Sequence, residues 1–281
     1  MFAIVLILNG IILFYACKKE KTAEPTEFDT NTSTDNALAE GTFNDVNNIC
    51  FQAIANGSIS TYRLGAPENT LLSHCATVTV VPDTAGTGGT ITVDFGSQNC
   101  QCHDGRYRRG VINIIYTGHY RDSGTVISTT FNNYYVGKDA GHMFKVTGSK
   151  SVTNNGTNSS GNINFTIAVN GHLTNANNVS MNWASTRNRE WISGENTPLI
   201  WTDDEYLISG SASGTNFEQN TFTVNITNPL KIALNCWWIK SGTFDLTPAG
   251  KPTRTLDYGN GTCDANATVT VNGSTIPITL Y

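Results

Sequence analysis

The chain has 281 residues, of which 39% are hydrophobic and only 14% charged, and its formal net charge is −5. An acidic balance with no basic groove interleaved with aromatics argues against nucleic acid as a partner. A charged fraction well below the roughly 25% of ordinary globular proteins leaves Thr, Asn, Ser and Gly to supply polarity, as in exported β proteins, where Thr covers strand faces and Gly and Asn make the turns.

The first element is a run from Phe2 to Phe14, apolar apart from Asn9 and Gly10, that ends at Tyr15-Ala16-Cys17. Met1 to Ala16 falls short of the roughly 20 residues a membrane helix needs. Lys18, Lys19 and Lys21 would hold their own side in the cytoplasm if the run spanned a bilayer. An apolar stretch of this length closed by a small residue fits a secretory signal. Phe14 to Lys19 resembles the lipobox of bacterial lipoproteins, and the resemblance implies cleavage before Cys17, lipidation of Cys17 and anchoring to a membrane by acyl chains. The implied address is the cell envelope, at the outer membrane. Lys18-Lys19-Glu20 partly resembles surface-export signals, which leaves the side of the membrane open. Thr22 to Gly41, rich in Thr, Glu, Asp and Asn, reads as a flexible tether. The expected organisation is a signal peptide over 1–16, a lipidated cysteine and tether over 17–41, and a β domain over 42–281.

Val46, Ile49, Cys50, Ala53 and Ile54 form one helical stripe, so a short helix is expected over Asn44 to Ala55, with Thr42 and Asp45 at its start. Period-two alternation follows. Ile127, Thr129, Phe131 and Asn133 share one face, as do Ile163, Phe165, Ile167 and Val169, and Phe222, Val224 and Ile226 repeat the pattern. Gly, Asn and Ser clusters such as Thr153 to Gly161 separate the runs. The expected fold is all-β, an antiparallel meander forming a sandwich or a strongly curved sheet, with one short N-terminal helix.

Setting Cys17 aside leaves Cys50, Cys75, Cys100, Cys102, Cys236 and Cys263, an even number that reads as three disulfides. The midpoint of Cys75 and Cys100 falls in the loop Pro82 to Gly89, and that of Cys236 and Cys263 in Thr247 to Pro252, so each pair is expected to face across a hairpin. Cys50 is left with Cys102, and a bulge would exchange Cys100 for Cys102. Cys100-x-Cys102-His103-Asp104 also offers metal ligands, but no second ligand pair lies nearby, so neither a metal nor any other cofactor is expected.

The two hairpins share a pattern, Asp94-Phe95-Gly96-x3-Cys100 and Asp257-Tyr258-Gly259-x3-Cys263, which points to two related halves. Thr92 to Gly96, Asp104 to Ile112 and Asn133 to Val136 resemble motifs that recur in this order in a group of uncharacterised lipoproteins of Bacteroidetes. That resemblance implies an envelope location and a β fold, and it brings no catalytic residue. It also makes Thr84, in Asp83-Thr84-Ala85, a candidate for O-glycosylation.

Catalytic signatures are missing. Gly210-Ser211-Ala212-Ser213-Gly214 has Ala where a nucleophile elbow needs Ser. The five histidines, at 74, 103, 119, 142 and 172, sit mostly beside strand ends or glycine. Asp203-Asp204-Glu205 reads as a solvated turn, and Arg106-Tyr107-Arg108-Arg109 as a solvated strand edge. Aromatic residues carry the stronger case, because Trp183, Trp191, Trp201, Trp237 and Trp238 all lie in the second half, and an exposed indole can stack on a sugar ring. Parity places Trp183 in the core with Val179 and Met181, whereas the adjacent Trp237 and Trp238 are expected on opposite faces. Trp201, Trp237 and Trp238 are therefore the candidate glycan contacts. The expected function is a lipid-anchored, non-catalytic binding or structural module of the envelope. Its rivals are a glycan-binding lipoprotein, recognised by two indoles on one exposed face, an envelope hydrolase, and a lipid carrier with an open apolar interior.

Overall fold

In a computed structural model of the chain, which describes residues 30–57, 75–197, 200 and 202–280, one helix precedes fourteen strands. The helix is α1 (Asn31–Gly57). The strands are β1 (Thr77–Pro82), β2 (Gly89–Asp94), β3 (Cys100–Gln101), β4 (Tyr107–Tyr116), β5 (Val126–Gly137), β6 (Met143–Thr157) and β7 (Ile163–Thr174). They continue as β8 (Ser180–Ser193), β9 (Glu205–Thr215), β10 (Thr221–Ala233), β11 (Ser241–Pro248), β12 (Arg254–Asn260), β13 (Asn266–Val271) and β14 (Ser274–Thr279). Every strand pairs with its sequence neighbour in one antiparallel sheet, except that β2 pairs with β4 and the two-residue β3 pairs only with β4. The meander is as expected, and of the two expected forms it is the curved single sheet.

Curvature follows from what the sheet encloses. Residues of α1 meet Arg106 and Arg108 at the start of β4, Lys150 in β6, Arg187 in β8 and the turn after β9, and share a cleft lining with Tyr258 in β12. Laid flat, the eight ladder steps from β4 to β12 would span about 38 Å at 4.8 Å each, several times the width of a helix. The sheet therefore curls around α1, and one hydrophobic core joins the helix to inward side chains from β2 to β13.

The alternation expected for β7 and β10 holds: Ile163, Phe165, Ile167 and Val169 are buried, as are Phe222, Val224 and Ile226. In β5 it holds only as far as Thr129. Phe131 is half-buried, and the β4–β5 register then shifts between Arg109 and Val111. There Gly110 (φ 83°) abuts the Asn133 carbonyl and Asn133 adopts φ 47°. This bulge inverts the parity, so Asn133 points out while Tyr134 and Val136 turn inward. Outside, mostly small polar residues line up across the sheet: one registered row runs from Thr90 through Ser128, Ser151, Thr186 and Ser211 to Thr270 and Thr275, interrupted by the exposed Ile115.

The helix departs from expectation in length and place. It begins at Asn31, with the Thr30 carbonyl accepting from the Ser33 and Thr34 amides, and has 27 residues, so Thr42 and Asp45 lie inside it and not at its start. The tether expected to reach Gly41 therefore does not: residues 31–41 are helical, and Thr32, Ser33, Asn36, Ala39 and Glu40 are buried. The polar composition that reads as solvated is answered by polar groups on the sheet. Trp183 Nε1 donates to Asn36 Oδ1 at 2.8 Å, Asn216 Nδ2 to Thr32 Oγ1 at 3.0 Å, and the Phe217 amide to Asp35 Oδ2 at 3.1 Å. Val46, Ile49, Cys50 and Ala53 of the expected apolar stripe are buried, and the side chain of its fifth member, Ile54, lies outside what is described. The signal peptide, Cys17 and the rest of the expected tether up to Asp29 lie outside the described residues.

Candidate functional site

Two of the expected disulfides are present, with Cα separations of 5.6 Å for Cys75–Cys100 and 5.8 Å for Cys236–Cys263. Neither is a simple cross-hairpin pair. The β1–β2 register, extended, sets Cys75 opposite Gly96, and the bond forms only because the chain turns after Gly96 and brings Cys100 back on β3. The shared pattern explains that turn in both places. The Gly96 amide donates to Asp94 Oδ1 at 2.7 Å and the Gly259 amide to Asp257 Oδ1 at 2.8 Å. Both glycines are left-handed, at φ 74° and 88°, a conformation that side chains resist. Phe95 and Tyr258, between them, point into the core.

The third disulfide is not formed: Cys50 and Cys102 are free and buried. Cys50 Sγ lies 3.4 Å from Thr129 Oγ1, and Thr129 pairs with Ile114 of β4. Cys102 follows β3, whose Cys100 pairs with Arg108. Ile114 and Arg108 are six residues apart on β4, about 20 Å of strand, whereas a disulfide needs Cα atoms within about 7 Å. Burial pushes the Cys50 thiol up to about 11 and also raises that of Cys102.

Thr92 to Gly96, Asp104 to Ile112 and Asn133 to Val136 meet in one packed unit. The Phe95 amide donates to the Gly110 carbonyl at 2.9 Å, and the Gly110 amide returns a bond to the Gly96 carbonyl at 2.7 Å. Gly110 faces Asn133, and the Tyr134 ring lies 5.9 Å from that of Phe95.

Charge is concentrated inside the roll. Among the described residues six cations are buried, Arg106, Arg108, Lys150, Arg187, Arg189 and Arg254, against the carboxylates Glu40, Asp45 and Asp204. Arg106 and Arg108 are thus not on a solvated edge. Arg108 donates to Asp45 Oδ1 at 2.7 Å and to Asp104 Oδ1 at 2.8 Å, and Arg106 lies 3.3 Å from Asp45 Oδ2. Burial alone would raise the Asp45 pKa, but Arg108 and Arg106 outweigh it and hold the carboxyl below its ordinary range. Arg187 pairs with Glu40, and the Arg189 guanidinium sits 3.7 Å over the Tyr206 ring. Lys150 donates to Asn47 and to the Phe43 carbonyl, and burial brings its ammonium down to about 7.

Beside this network, a cleft of about 470 Å³ opens between α1 and the connection from β10 to β11. Trp237 and Trp238 line it together with Asn44, Asp45, His103 and Asp104. The two indoles are not on opposite faces, because residues 234–240 form a bend and the strand parity rule does not apply there. Their ring centroids are 5.8 Å apart, both are half-buried, and neither indole N–H has a hydrogen-bond partner. The Arg106 guanidinium lies 3.5 Å from the centre of the Trp237 ring. A second cleft, of about 290 Å³, shares Ala37, Gly41, Arg106 and Trp237, so the Arg106–Trp237 pair divides two recesses whose floor is the small-residue face of the helix.

The remaining candidates lie elsewhere. Trp183 and Met181 are buried as expected, whereas Val179 is exposed in the turn before β8. Trp201 and His74 fall outside the described residues. Thr84 is exposed in the β1–β2 turn. His119 and His142 pair with Asp122 and Asp139 of their own turns, His172 bonds Asn182, and His103 stands at the cleft rim. Asp204 is fully buried and not in a solvated turn. Among the described residues no group of three or more His, Cys, Asp or Glu side chains is placed to hold a metal. The Trp237–Trp238 cleft would have been hard to find by parity, but the adjacent indoles beside Cys236 were a visible signal. No protein-family model matches the chain, and no curated protein or solved structure was found to be similar to it.

Proposed function

We propose that the protein is a lipid-anchored cell-envelope module, held through Cys17, that binds a glycan without catalysing its conversion. The observation that carries this reading is the convergence of Trp237 and Trp238 on one cleft beside Asn44, Asp45, His103 and Asp104. Indoles supply flat apolar area, and polar side chains around them supply acceptors and donors for hydroxyl groups, the combination a sugar ring requires. Glycoside hydrolysis needs a protonated carboxylic acid beside a second carboxylate. Here Asp45 is held ionised, and both it and Asp104 are tied to the Arg108 guanidinium. A lipid carrier needs an open apolar interior, whereas α1 and buried charged side chains fill this one. The exposed Thr84 remains our candidate for O-glycosylation.

The test is a titration of the purified protein with oligosaccharides released from bacterial envelopes, followed by tryptophan fluorescence. Binding should quench or shift the emission. Trp238→Ala should weaken affinity by about tenfold or more, the equivalent of about 1.4 kcal/mol, with the disulfides intact. Unchanged affinity in Trp237→Ala and Trp238→Ala would remove the reading. Metabolic labelling with a fatty acid, lost in Cys17→Ser, tests the anchor.

A further inference from the structure

One turn before Cys50, α1 sets a side-chain amide against a buried amine of the sheet. Lys150 is on the inner face of β6 and Asn47 on α1, 3% and 4% exposed. Lys150 Nζ donates to Asn47 Oδ1 at 2.8 Å and to the Phe43 carbonyl at 3.3 Å. Because Cγ lies one carbonyl bond of about 1.23 Å beyond Oδ1, the amine is within about 4 Å of the amide carbon, near attack distance. We propose that Lys150 and Asn47 join in an intramolecular isopeptide bond, Nζ to Cγ, with release of ammonia.

The surroundings provide what the reaction needs. Attack requires an unprotonated amine, and burial pushes Lys150 toward that form. Among its charged neighbours Arg189 acts in the same direction, while the Glu40 carboxylate is paired with Arg187 and the Cys50 thiol is kept protonated by burial. Once neutral, the amine keeps one hydrogen on the Phe43 carbonyl and turns the other away from Asn47 Oδ1, which brings its lone pair onto Cγ. As Nζ bonds to Cγ, the carbonyl oxygen gains negative charge. The Asn47 side chain also hydrogen-bonds Tyr120 in the sense that favours the phenolate, so its Nδ2 is the donor there, and the Tyr120 hydroxyl stands beside the nitrogen that leaves, where it can relay the proton from Nζ to Nδ2. The Cγ–Nδ2 bond then breaks, Nδ2 takes the proton shed by Nζ, and ammonia leaves. A primary amine and a primary amide become a secondary amide and ammonia, with no oxidant and no net change in electrons. Burial also excludes the water that would compete for Cγ.

The test is tryptic mapping of the reduced full-length protein by mass spectrometry. Trypsin should fail to cut after Lys150, so Val146–Arg187 should appear joined to Thr22–Arg63, the pair lighter by one ammonia than the two peptides together. Lys150→Ala and Asn47→Ala should each abolish the branched peptide, and Tyr120→Phe should slow its appearance. Recovery of free Val146–Lys150 and unlinked Thr22–Arg63 in full yield from the folded wild-type protein would overturn the proposal. That measurement needs no variant to fold and is independent of glycan binding.

Discussion

Replacing Gly171 with Ala tests how the helix is seated. Gly171 lies in β7 directly under Phe43, and a Cβ built there would overlap the Phe43 ring. Phe43 is 2% exposed, stacks on Trp183 with centroids 5.6 Å apart and planes 7° apart, and meets Phe131 edge-on. Forcing a methyl group into such packing costs about 1–3 kcal/mol, and Phe43→Ala alone should cost about 3–5 kcal/mol. For a domain of this size the latter is a fall of roughly 6–20 °C in melting temperature. The double variant is decisive. With the ring gone, the methyl group introduced by Gly171→Ala enters the vacated space and relieves the glycine's conformational cost. The Gly171→Ala change should therefore become neutral or stabilising in the Phe43→Ala background. Urea and thermal unfolding of the four proteins, followed by circular dichroism, give the coupling. Additivity within about 0.5 kcal/mol would falsify the claim that this glycine exists to let the ring approach the sheet.

Other consequences can be measured on the same material. Asp45 has its pKa lowered in the folded protein, so the stability it contributes is present above the ordinary carboxylate range and is lost as pH falls through it toward the folded value. Acid titration of stability should show this loss, and Asp45→Asn should be less stable at neutral pH and flatter in acid; an unchanged acid slope would refute the pairing. Cys50 and Cys102 should resist alkylation in the folded protein and react together in denaturant, whereas a linked Cys50–Cys102 peptide would contradict the structure. Removing either disulfide, with loops of 25 and 27 residues, should cost about 3.5 kcal/mol, nearly equal for the two; a large inequality in unfolding free energy would point to strain or to residual unfolded structure.

Much of the architecture was legible because strands announce themselves by period two: β7 and β10 read directly from Ile163 to Val169 and from Phe222 to Ile226. The bulge at Gly110 and Asn133 was not legible, since a single extra residue inverts parity without changing composition. Two of the three expected cysteine pairs form, Cys75–Cys100 and Cys236–Cys263, for a reason that was only partly right, the real cause being the Asp-aromatic-Gly turn that both hairpins share; the third, Cys50–Cys102, followed by elimination and does not form. Residues 31–41 misled for a physical reason. Thr32, Asn36 and Glu40 look solvated in isolation, and only the strands that bring Asn216, Trp183 and Arg187 to them make an interior polar helix reasonable. The same blindness hid Arg106 and Arg108, whose partner Asp45 lies some sixty residues upstream.

The placement of α1 also sets a problem of timing. Its sequence, with six Asn and three Thr among 27 residues, is a poor autonomous helix former, and its partners are spread over the next two hundred residues, with Asn31 reaching Glu218 across 187 positions. The helix that precedes every strand is therefore satisfied last, after β8, β9 and the turn beyond them have formed. A chain built this way folds slowly for its size and exposes unpaired strand edges while it waits. A fragment holding α1 without β8 to β10 should leave the helix without its polar partners, and truncation from the C-terminus should release the helix before it unravels the central strands.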